Sequence, residues 1–447
     1  MKVSDRELIL SLWFALWVIA ATSQAADTSV EIEASVDAFA DGEPSEQSWL
    51  RIAPRVTRRL SPRVLLTVAP VLEVDSHGDI DGGGLYDDGD RGIGRAPLRF
   101  DRLSLRLDLR AVKVEVGRQP LTWGRTDAVQ ATDNLTPHDW TDTLGEVRLS
   151  PWAVRVHFER SRWEGEFALV PRYAPSRLPR LGGRWAQVGP IPVANPFFPA
   201  AGGPELALDV DLEVADGEFP STTLDNLQTG FRLGRRGGRA EWAVSYYRGF
   251  DDAPRLDPSV SGIDPAAASV SILLTPRFPE LEVVGADAVL LAGAGALRIE
   301  AGHFRFPEGL DDDFVLYEID LEWTRGARRT VLGYVDRSGA EPTSGLGASV
   351  SVTDPAAAAI PVALDRGFVP AVFVSLGRSL LTEWEASVEA FVGTEDGDSL
   401  LRLSGSLPTG AGLRLGAEID FVDGKAGSFF GAWRGNDRLR VFGRVTF

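Results

Sequence analysis

Charged side chains recur two or four positions apart in several short segments of the sequence. Arginines dominate the early segments, at Arg51, Arg55, Arg102, Arg106, Arg110 and Arg155. Carboxylates dominate the late segments, at Glu318, Asp320, Glu322, Glu383, Glu385, Glu389, Glu418 and Asp420. Opposed charged walls around a water-filled space create a transverse field, which orders water and favours small charged or dipolar solutes. The charges therefore predict a solute-selecting lumen with a basic wall and an acidic wall.

A second interpretation of the same charges stays open at the level of sequence. They could pair across neighbouring strands and only fill a polar interior, at about 0.2 to 1 kcal/mol per pair. Arg438, Arg440 and Arg444 also fall between carboxylates of the segments on either side, which weakens a strict division into two walls.

The elements that carry these charges have the period of β-strands. Apolar and polar residues alternate from Val30 to Ala38, from Leu103 to Leu109 and from Tyr317 to Trp323, which gives each segment one apolar and one polar face. The segments are about ten residues long and have aromatic residues near their ends, as in barrels whose apolar face meets lipid. The pattern predicts an all-β, antiparallel transmembrane barrel of about eighteen strands, with sixteen as the second choice and without a plug domain.

Short turns alternate with long loops along the chain. Long extracellular loops are expected at about 75–97, 120–144, 174–224, 251–280 and 339–367. An even strand number places both termini on the periplasmic side. The last strand ends on Phe447, which resembles the terminal aromatic signal that the barrel assembly machinery reads. Outer-membrane lipid and lipopolysaccharide are the other expected partners.

The N-terminus has the features of a secretory signal. Lys2 and Arg6 precede an apolar run, and Ser23 and Ala25 offer the small residues of a cleavage site. We expect residues 1–25 to be removed and residues 26–447 to form a single barrel. The absence of Cys excludes disulfides and Cys-based metal centres. With 64 acidic against 46 basic residues, nucleic acid is not an expected partner.

One set of motifs resembles a known family. It consists of Gly117, Arg118 and Gln119, then Trp123 and Gly124, and then Pro137 and Asp139. This spacing resembles the signature of alginate-export-like outer-membrane porins, over about strands five to ten and the terminal strand. The resemblance implies an outer-membrane channel, in a group that includes polysaccharide exporters with a strongly basic lumen. Thr136 stands where that family usually has Asn before the proline.

The longest loop, 174–224, carries Arg177, Arg180 and Arg184 near its start. Ordered loops of such length are usually functional. We expect either this loop or the segment from Trp123 to Trp140 to fold inward and narrow the pore, the alternative being a solvated surface loop.

Enzymatic chemistry is not expected. His77, His138, His157 and His303 have no Ser partner in the register of a lipid-facing triad. The acidic run through Asp79, Asp81 and Asp90 only loosely resembles a calcium loop, since flanking helices are absent. No catalytic residue, metal site or cofactor is predicted.

The sequence therefore predicts a passive channel for small hydrophilic or charged solutes in the bacterial outer membrane. Two alternatives remain, a polymer exporter of the alginate-export type and a structural or adhesive barrel that transports nothing.

Overall fold

The alternating segments form eighteen strands in one closed antiparallel sheet. Each strand pairs with the next along the chain, and the first pairs with the last. The strands are β1 (Ala26–Phe39), β2 (Glu46–Ser61), β3 (Val64–Asp75), β4 (Leu98–Leu109), β5 (Val112–Arg118), β6 (Trp152–Arg160), β7 (Trp163–Val170), β8 (Gln228–Arg235), β9 (Ala240–Phe250), β10 (Glu280–Ala292), β11 (Gly295–Arg305), β12 (Phe314–Arg325), β13 (Arg328–Gly339), β14 (Ala371–Leu380), β15 (Trp384–Gly393), β16 (Ser399–Gly410), β17 (Leu413–Asp423) and β18 (Arg438–Thr446). The predicted all-β barrel and its strand number are confirmed.

The structure is a computed structural model. It describes residues 26–42, 44–80, 84–86, 95–145, 147–179, 183–185, 209–215, 217–264, 269–309, 313–339, 360–361, 370–380, 384–410, 412–425 and 428–447. The predicted signal segment, residues 1–25, lies outside this part of the chain.

The burial pattern is the reverse of that in a soluble protein. On β12 and β17, Glu318, Asp320 and Asp420 are completely buried, whereas Ile319 and Phe421 beside them are about 40% exposed or more. Large apolar side chains cover the outside in the same way on most strands. A contiguous apolar exterior of this extent fits lipid and not water.

Tryptophans mark one end of the barrel. Trp163, Trp242, Trp323 and Trp384 are exposed and lie within two residues of a strand end at the side of the short turns. Such a belt is typical of the membrane–water interface. The start of β1 and the C-terminal residue lie at this end, where Phe447 and Val30 exchange two backbone hydrogen bonds.

Long connections leave the opposite end of the barrel, at 76–97, 119–151, 171–227, 251–279 and 340–370. Within them, Asp209–Val214, Arg255–Asp264, Ser269–Arg277 and Ile360–Pro361 form a separate four-stranded sheet. A short 3-10 helix, Phe430–Trp433, lies between β17 and β18. No helix in the described residues is long and apolar enough to cross a membrane.

Candidate functional site

The connection between β5 and β6 turns into the barrel. We call residues 119–151 the lumen loop. Its first attachment is Glu300, an inward-facing and fully buried residue of β11. One carboxylate oxygen accepts hydrogen bonds from the backbone N–H groups of Arg125 (2.7 Å) and Thr126 (3.4 Å) and from the Thr126 hydroxyl (3.0 Å). The other accepts from the backbone N–H and the hydroxyl of Thr132, at 2.8 and 2.9 Å.

Glu318 on β12 forms the second attachment. Its Oε1 accepts from the backbone N–H groups of Asp127 and Ala128, both at 3.1 Å, and its Oε2 accepts from that of Val129 at 2.6 Å. Three backbone donors thus converge on one buried carboxylate. This arrangement holds the main chain of the loop against the wall, whatever the loop side chains do.

Side-chain contacts extend the attachment along the same wall. The Trp123 indole N–H donates to Glu166 on β7 at 2.8 Å. Arg125 forms an ion pair with Asp287 on β10 at 2.6 Å. Asp127 pairs with Arg298 of β11 at 2.9 Å and with Arg329 of β13 at 2.6 Å.

The far end of the lumen loop reaches the opposite side of the barrel. Asp142 pairs with Arg438 (2.7 Å) and Arg440 (2.8 Å) of β18. Arg402 of β16 donates to the backbone oxygen of Leu144 at 2.8 Å. Burial alone would raise the pKa of Asp142, but the two guanidinium groups outweigh burial and hold it well below its usual range. The loop therefore crosses the lumen and is fixed at both ends.

Two cavities flank the lumen loop. The charged cavity lies toward β1 to β4 and β18, and Arg51, Glu73, His77, Arg440 and Arg444 are among its lining residues. The aromatic cavity lies toward β12, β15 and β16, and its lining includes Trp140, Phe391, Phe429, Phe430 and Trp433.

The predicted basic-wall residues each have a defined place. Arg51 pairs with Glu31 (2.9 Å) and Asp101 (3.1 Å) in the charged cavity. Arg55 is exposed, on the same face of β2 as Arg51. The others with ion pairs are Arg102 with Glu115 (2.8 Å), Arg106 with Asp108 (3.1 Å) and Arg155 with Glu166.

Arg110 corrects the sequence prediction. It lies in the turn after β4 with a φ of 54° and is exposed, so it is not part of a wall. The leucines that precede Arg110 alternate up to the turn. Alternation alone does not show where a strand ends and the chain reverses, so the pattern places Arg110 in the strand.

The predicted acidic-wall residues that the structure describes lie on inward faces. Glu318 holds the lumen loop. The pairs of the others are Asp320 with Arg298 (2.6 Å), Glu322 with Arg329 (2.8 Å), Glu418 with Arg438 (3.1 Å), Asp420 with Arg438 (2.6 Å) and with Arg402 (2.7 Å), and Glu385 with Arg414 (3.5 Å). Glu389 contacts the Ser375 hydroxyl at 3.5 Å, and Glu383 lies outside the described residues.

The charges are not segregated into two opposed walls. Glu31, Asp101 and Glu115 accompany the arginines of the early strands, and Arg298, Arg329 and Arg402 accompany the carboxylates of the late strands. Neighbouring antiparallel strands bring inward residues side by side, so local pairing neutralises most of each wall. A strong transverse field is not expected from this arrangement.

The arginines of the 171–227 connection tie loops together. Arg184 donates to the backbone oxygens of Asp41 (2.7 Å) and Pro44 (2.5 Å) and to Asn436 Oδ1 (2.9 Å). The backbone of Arg177 pairs with the lumen loop at His138 and Trp140. Arg180 lies outside the described residues.

The motif residues fold the two ends of the lumen loop. Gly117 has a φ of 129°, and a Cβ there would collide with the backbone of β4; Gly124 has a φ of 94°, and a Cβ there would press on the Glu300 carboxylate. Arg118 donates to the Ser150 oxygen at 3.0 Å and Gln119 to the Ala153 oxygen at 3.2 Å. The Pro137 oxygen accepts from the Leu149 N–H at 2.7 Å.

Asp139, the last motif residue, forms an ion pair with Arg95 at 3.2 Å. Burial opposes ionisation of Asp139, but Arg95 and Arg177 hold its pKa below the usual range.

One cluster could supply metal ligands. Asp75, His77 and Asp79 each offer one atom within 4.8 Å of the others. His77 Nε2 lies 3.1 Å from Asp79 Oδ2, and Asp75 accepts from the backbone N–H groups of Gly78 and Ile80. These contacts use most of the hydrogen-bonding capacity of the three side chains. Asp81 and Asp90 of the calcium-loop resemblance lie outside the described residues.

Sequence reasoning missed several residues that fix the lumen loop, chiefly Glu300, Asp287, Arg298 and Asp142. The first three occupy inward positions of alternating strands, so the strand pattern could have identified their face. Nothing in the pattern indicates that Glu300 and Glu318 bind loop backbone, since backbone N–H groups carry no sequence signal.

Comparison with known proteins bears on the fold. No family model and no curated sequence matches the chain. Among solved structures, OccAB3 of Acinetobacter baumannii matches with a TM-score of 0.51 at 8% identity, covering 94% of this chain and 99% of that chain. An OmpT loop-deletion mutant, an outer membrane protein of Vibrio cholerae, has a TM-score of 0.42 at 10% identity, covering 94% and 99%. A mutant of the Rh. blastica porin has a TM-score of 0.40 at 12% identity, covering 94% and 100%.

The fold and burial pattern define the class of protein. The chain is an antiparallel transmembrane β-barrel of eighteen strands with the fold of outer-membrane porins. The narrower resemblance to alginate-export-like barrels stays a prediction.

Proposed function

We propose that the protein is a passive outer-membrane channel for small hydrophilic or charged solutes, narrowed by the lumen loop. The observation that carries this proposal is a polar cavity of about 1370 Å³, counting its solvent-filled openings, beside the loop. Barrels with sixteen or more strands leave a water-filled interior unless something fills it. The lumen loop fills part of that interior, and the cavity is what remains open.

The attachments of the lumen loop support a fixed constriction. Its main chain is bound to Glu300 and Glu318 on one side, and Asp142 is bound to β18 on the other. Such a loop narrows the pore without needing to move, so size exclusion follows from the barrel itself. Solutes of the size of amino acids and monosaccharides are the expected class.

Two features argue against a polymer exporter. A polymer needs a continuous wide passage, whereas the lumen loop crosses the lumen and is tied at both ends. The exporters implied by the family resemblance have a strongly basic lumen, whereas the charged cavity has at least as many carboxylates as guanidinium groups.

The same proposal includes targeting and location. Residues 1–25 act as a cleaved signal, residues 26–447 insert in the outer membrane, and Phe447 contacts the barrel assembly machinery. Its exposed ring at the end of the last strand supports this role. Lipid and lipopolysaccharide surround the apolar exterior. The absence of enzymatic activity and of cofactors stays an expectation.

Swelling of liposomes that contain the refolded 26–447 chain tests the proposal. We expect fast swelling with small sugars and amino acids and a steep decline as solute size increases. The matched control is a variant in which residues 120–150 are replaced by a short Gly-Ser linker, which should extend the size limit. Folded protein in the liposomes that supports no swelling with any solute would favour the structural or adhesive barrel.

A further inference from the structure

The two cavities beside the lumen loop differ in the residues that line them. The aromatic cavity is bounded by Val129, Phe304 and Leu316, which are nearly fully buried and belong to one apolar cluster. The backbone N–H of Val129 is in turn fixed to Glu318. Apolar packing of this kind leaves no room for hydrated ions. On the side of these three residues the cavity is therefore closed to hydrated ions.

The charged cavity instead follows the wall of the barrel. At the long-loop end it is lined by His77 and Ile80, beyond the last residue of β3. Toward the short-turn end it is lined by Arg444, two residues before the end of β18. Polar and charged side chains line most of its length, and these can replace the hydration shell of a passing solute.

The lining of the charged cavity has an excess of negative charge. Its guanidinium groups belong to Arg51, Arg95, Arg99, Arg148, Arg440 and Arg444, whereas its carboxylates number eight. The carboxylates stay in excess even when His77 is protonated. A water-filled passage with low-dielectric walls and an excess of one charge concentrates ions of the opposite sign.

Pairing within the cavity concentrates this excess at its extracellular mouth. Each arginine of the lining pairs with a carboxylate, as in Arg440 with Asp37 and Arg444 with Glu33. Within the described part of the chain, Asp75 and Asp79 are the cavity carboxylates whose ion pairs are with His77 and not with an arginine.

We propose that ions and small solutes cross the barrel mainly through the charged cavity, and that this path prefers cations, including solutes that carry an ammonium group. The inference rests on the channel function proposed above and adds the route and the charge of the preferred solute. It follows from the apolar packing on one side of the aromatic cavity and from the carboxylate excess of the charged cavity.

Cysteine modification tests the route, because the chain has no cysteine of its own. Val147 lines the charged cavity and is exposed, whereas Asn134 lines the aromatic cavity. Val147→Cys and Asn134→Cys would be treated, in the refolded 26–447 chain in planar bilayers, with methanethiosulfonates that carry a sulfonate or a trimethylammonium group. We expect both reagents to lower the current of Val147→Cys and to leave the current of Asn134→Cys unchanged.

The reversal potential in a KCl gradient tests the charge preference. We expect cation preference in the wild type, an increase after sulfonate modification of Val147→Cys, a decrease after trimethylammonium modification, and a decrease in Asp79→Asn. Anion preference, an Asn134→Cys current that falls on modification, or a Val147→Cys current that does not change would overturn this inference while the channel function stands. A wild type that inserts and passes no current would overturn both.

Discussion

Replacement of Glu318 by Gln should loosen the lumen loop. The carboxylate accepts three backbone hydrogen bonds, two at Oε1 and one at Oε2. An amide keeps one acceptor oxygen and turns an NH₂ donor toward at least one of these N–H groups. A buried backbone N–H that loses its acceptor costs about 1 to 3 kcal/mol. The population of detached loop should therefore rise by about 5- to 100-fold, at about 1.4 kcal/mol per factor of ten.

Single-channel recording measures this effect directly. We expect Glu318→Gln to show brief excursions to a larger conductance, and Glu300→Gln/Glu318→Gln to show them more often, because Glu300 holds the same loop. Glu385→Gln is the control, since this side chain is 65% exposed and lies on β15 away from the loop contacts described above. If all variants keep the unit conductance and noise of the wild type, the loop does not form the constriction and this reasoning is refuted.

Three further predictions concern the lumen loop and its motif. Asp142→Asn removes two ion pairs to β18, worth about 1 to 3 kcal/mol in loop attachment. It should raise the conductance above that of the wild type at both pH 4 and pH 7. The pKa of Asp142 is held below its usual range, so the two ion pairs persist in the wild type on acidification. Burial raises the pKa of Asp133 to about 7 despite the contact with Arg148. Ionisation in the folded state then costs up to about 4 kcal/mol between pH 4 and pH 7, so the thermal midpoint should be higher at pH 5 than at pH 8, and Asp133→Asn should flatten that difference. Gly117→Ala places a Cβ against the backbone of β4 at a φ of 129° and should destabilise the barrel by about 2 kcal/mol or more, seen as a smaller heat-modifiable folded fraction on gels.

The barrel could be predicted from the sequence because its physical cause is local. Each strand must present alternate residues to lipid and to the lumen. Apolar and polar residues therefore alternate with a period of two in every strand segment. Tyr317 to Trp323 shows this directly, with the odd positions outside and Glu318, Asp320 and Glu322 inside. The last strand could be assigned in the same way, because alternation continues to Phe447.

The partners of the inward charges could not be predicted in the same way. Alternation gives the face of a residue but not the register between strands, and register decides that Arg402 faces Asp420 across β16 and β17. The wall residues that hold the lumen loop are even farther from their partners in the sequence, since Glu300 and Thr126 are 174 residues apart. Only the folded barrel brings such groups together, and backbone donors have no residue type to recognise.

The family motif conveyed more about the loop than about the solute. Gly117 and Gly124 are glycines because the backbone adopts positive φ values and approaches other groups closely there. Trp123 and Asp139 supply contacts that orient the loop. None of these roles specifies what crosses the barrel, which explains why the resemblance alone could not separate a diffusion channel from an exporter.

Single-channel current through the 26–447 chain in a planar bilayer tests the central claim most directly. The account predicts discrete and reproducible conductance steps, each of which corresponds to one open, constricted barrel. Folded protein that inserts stably and passes no current under any applied voltage would contradict it.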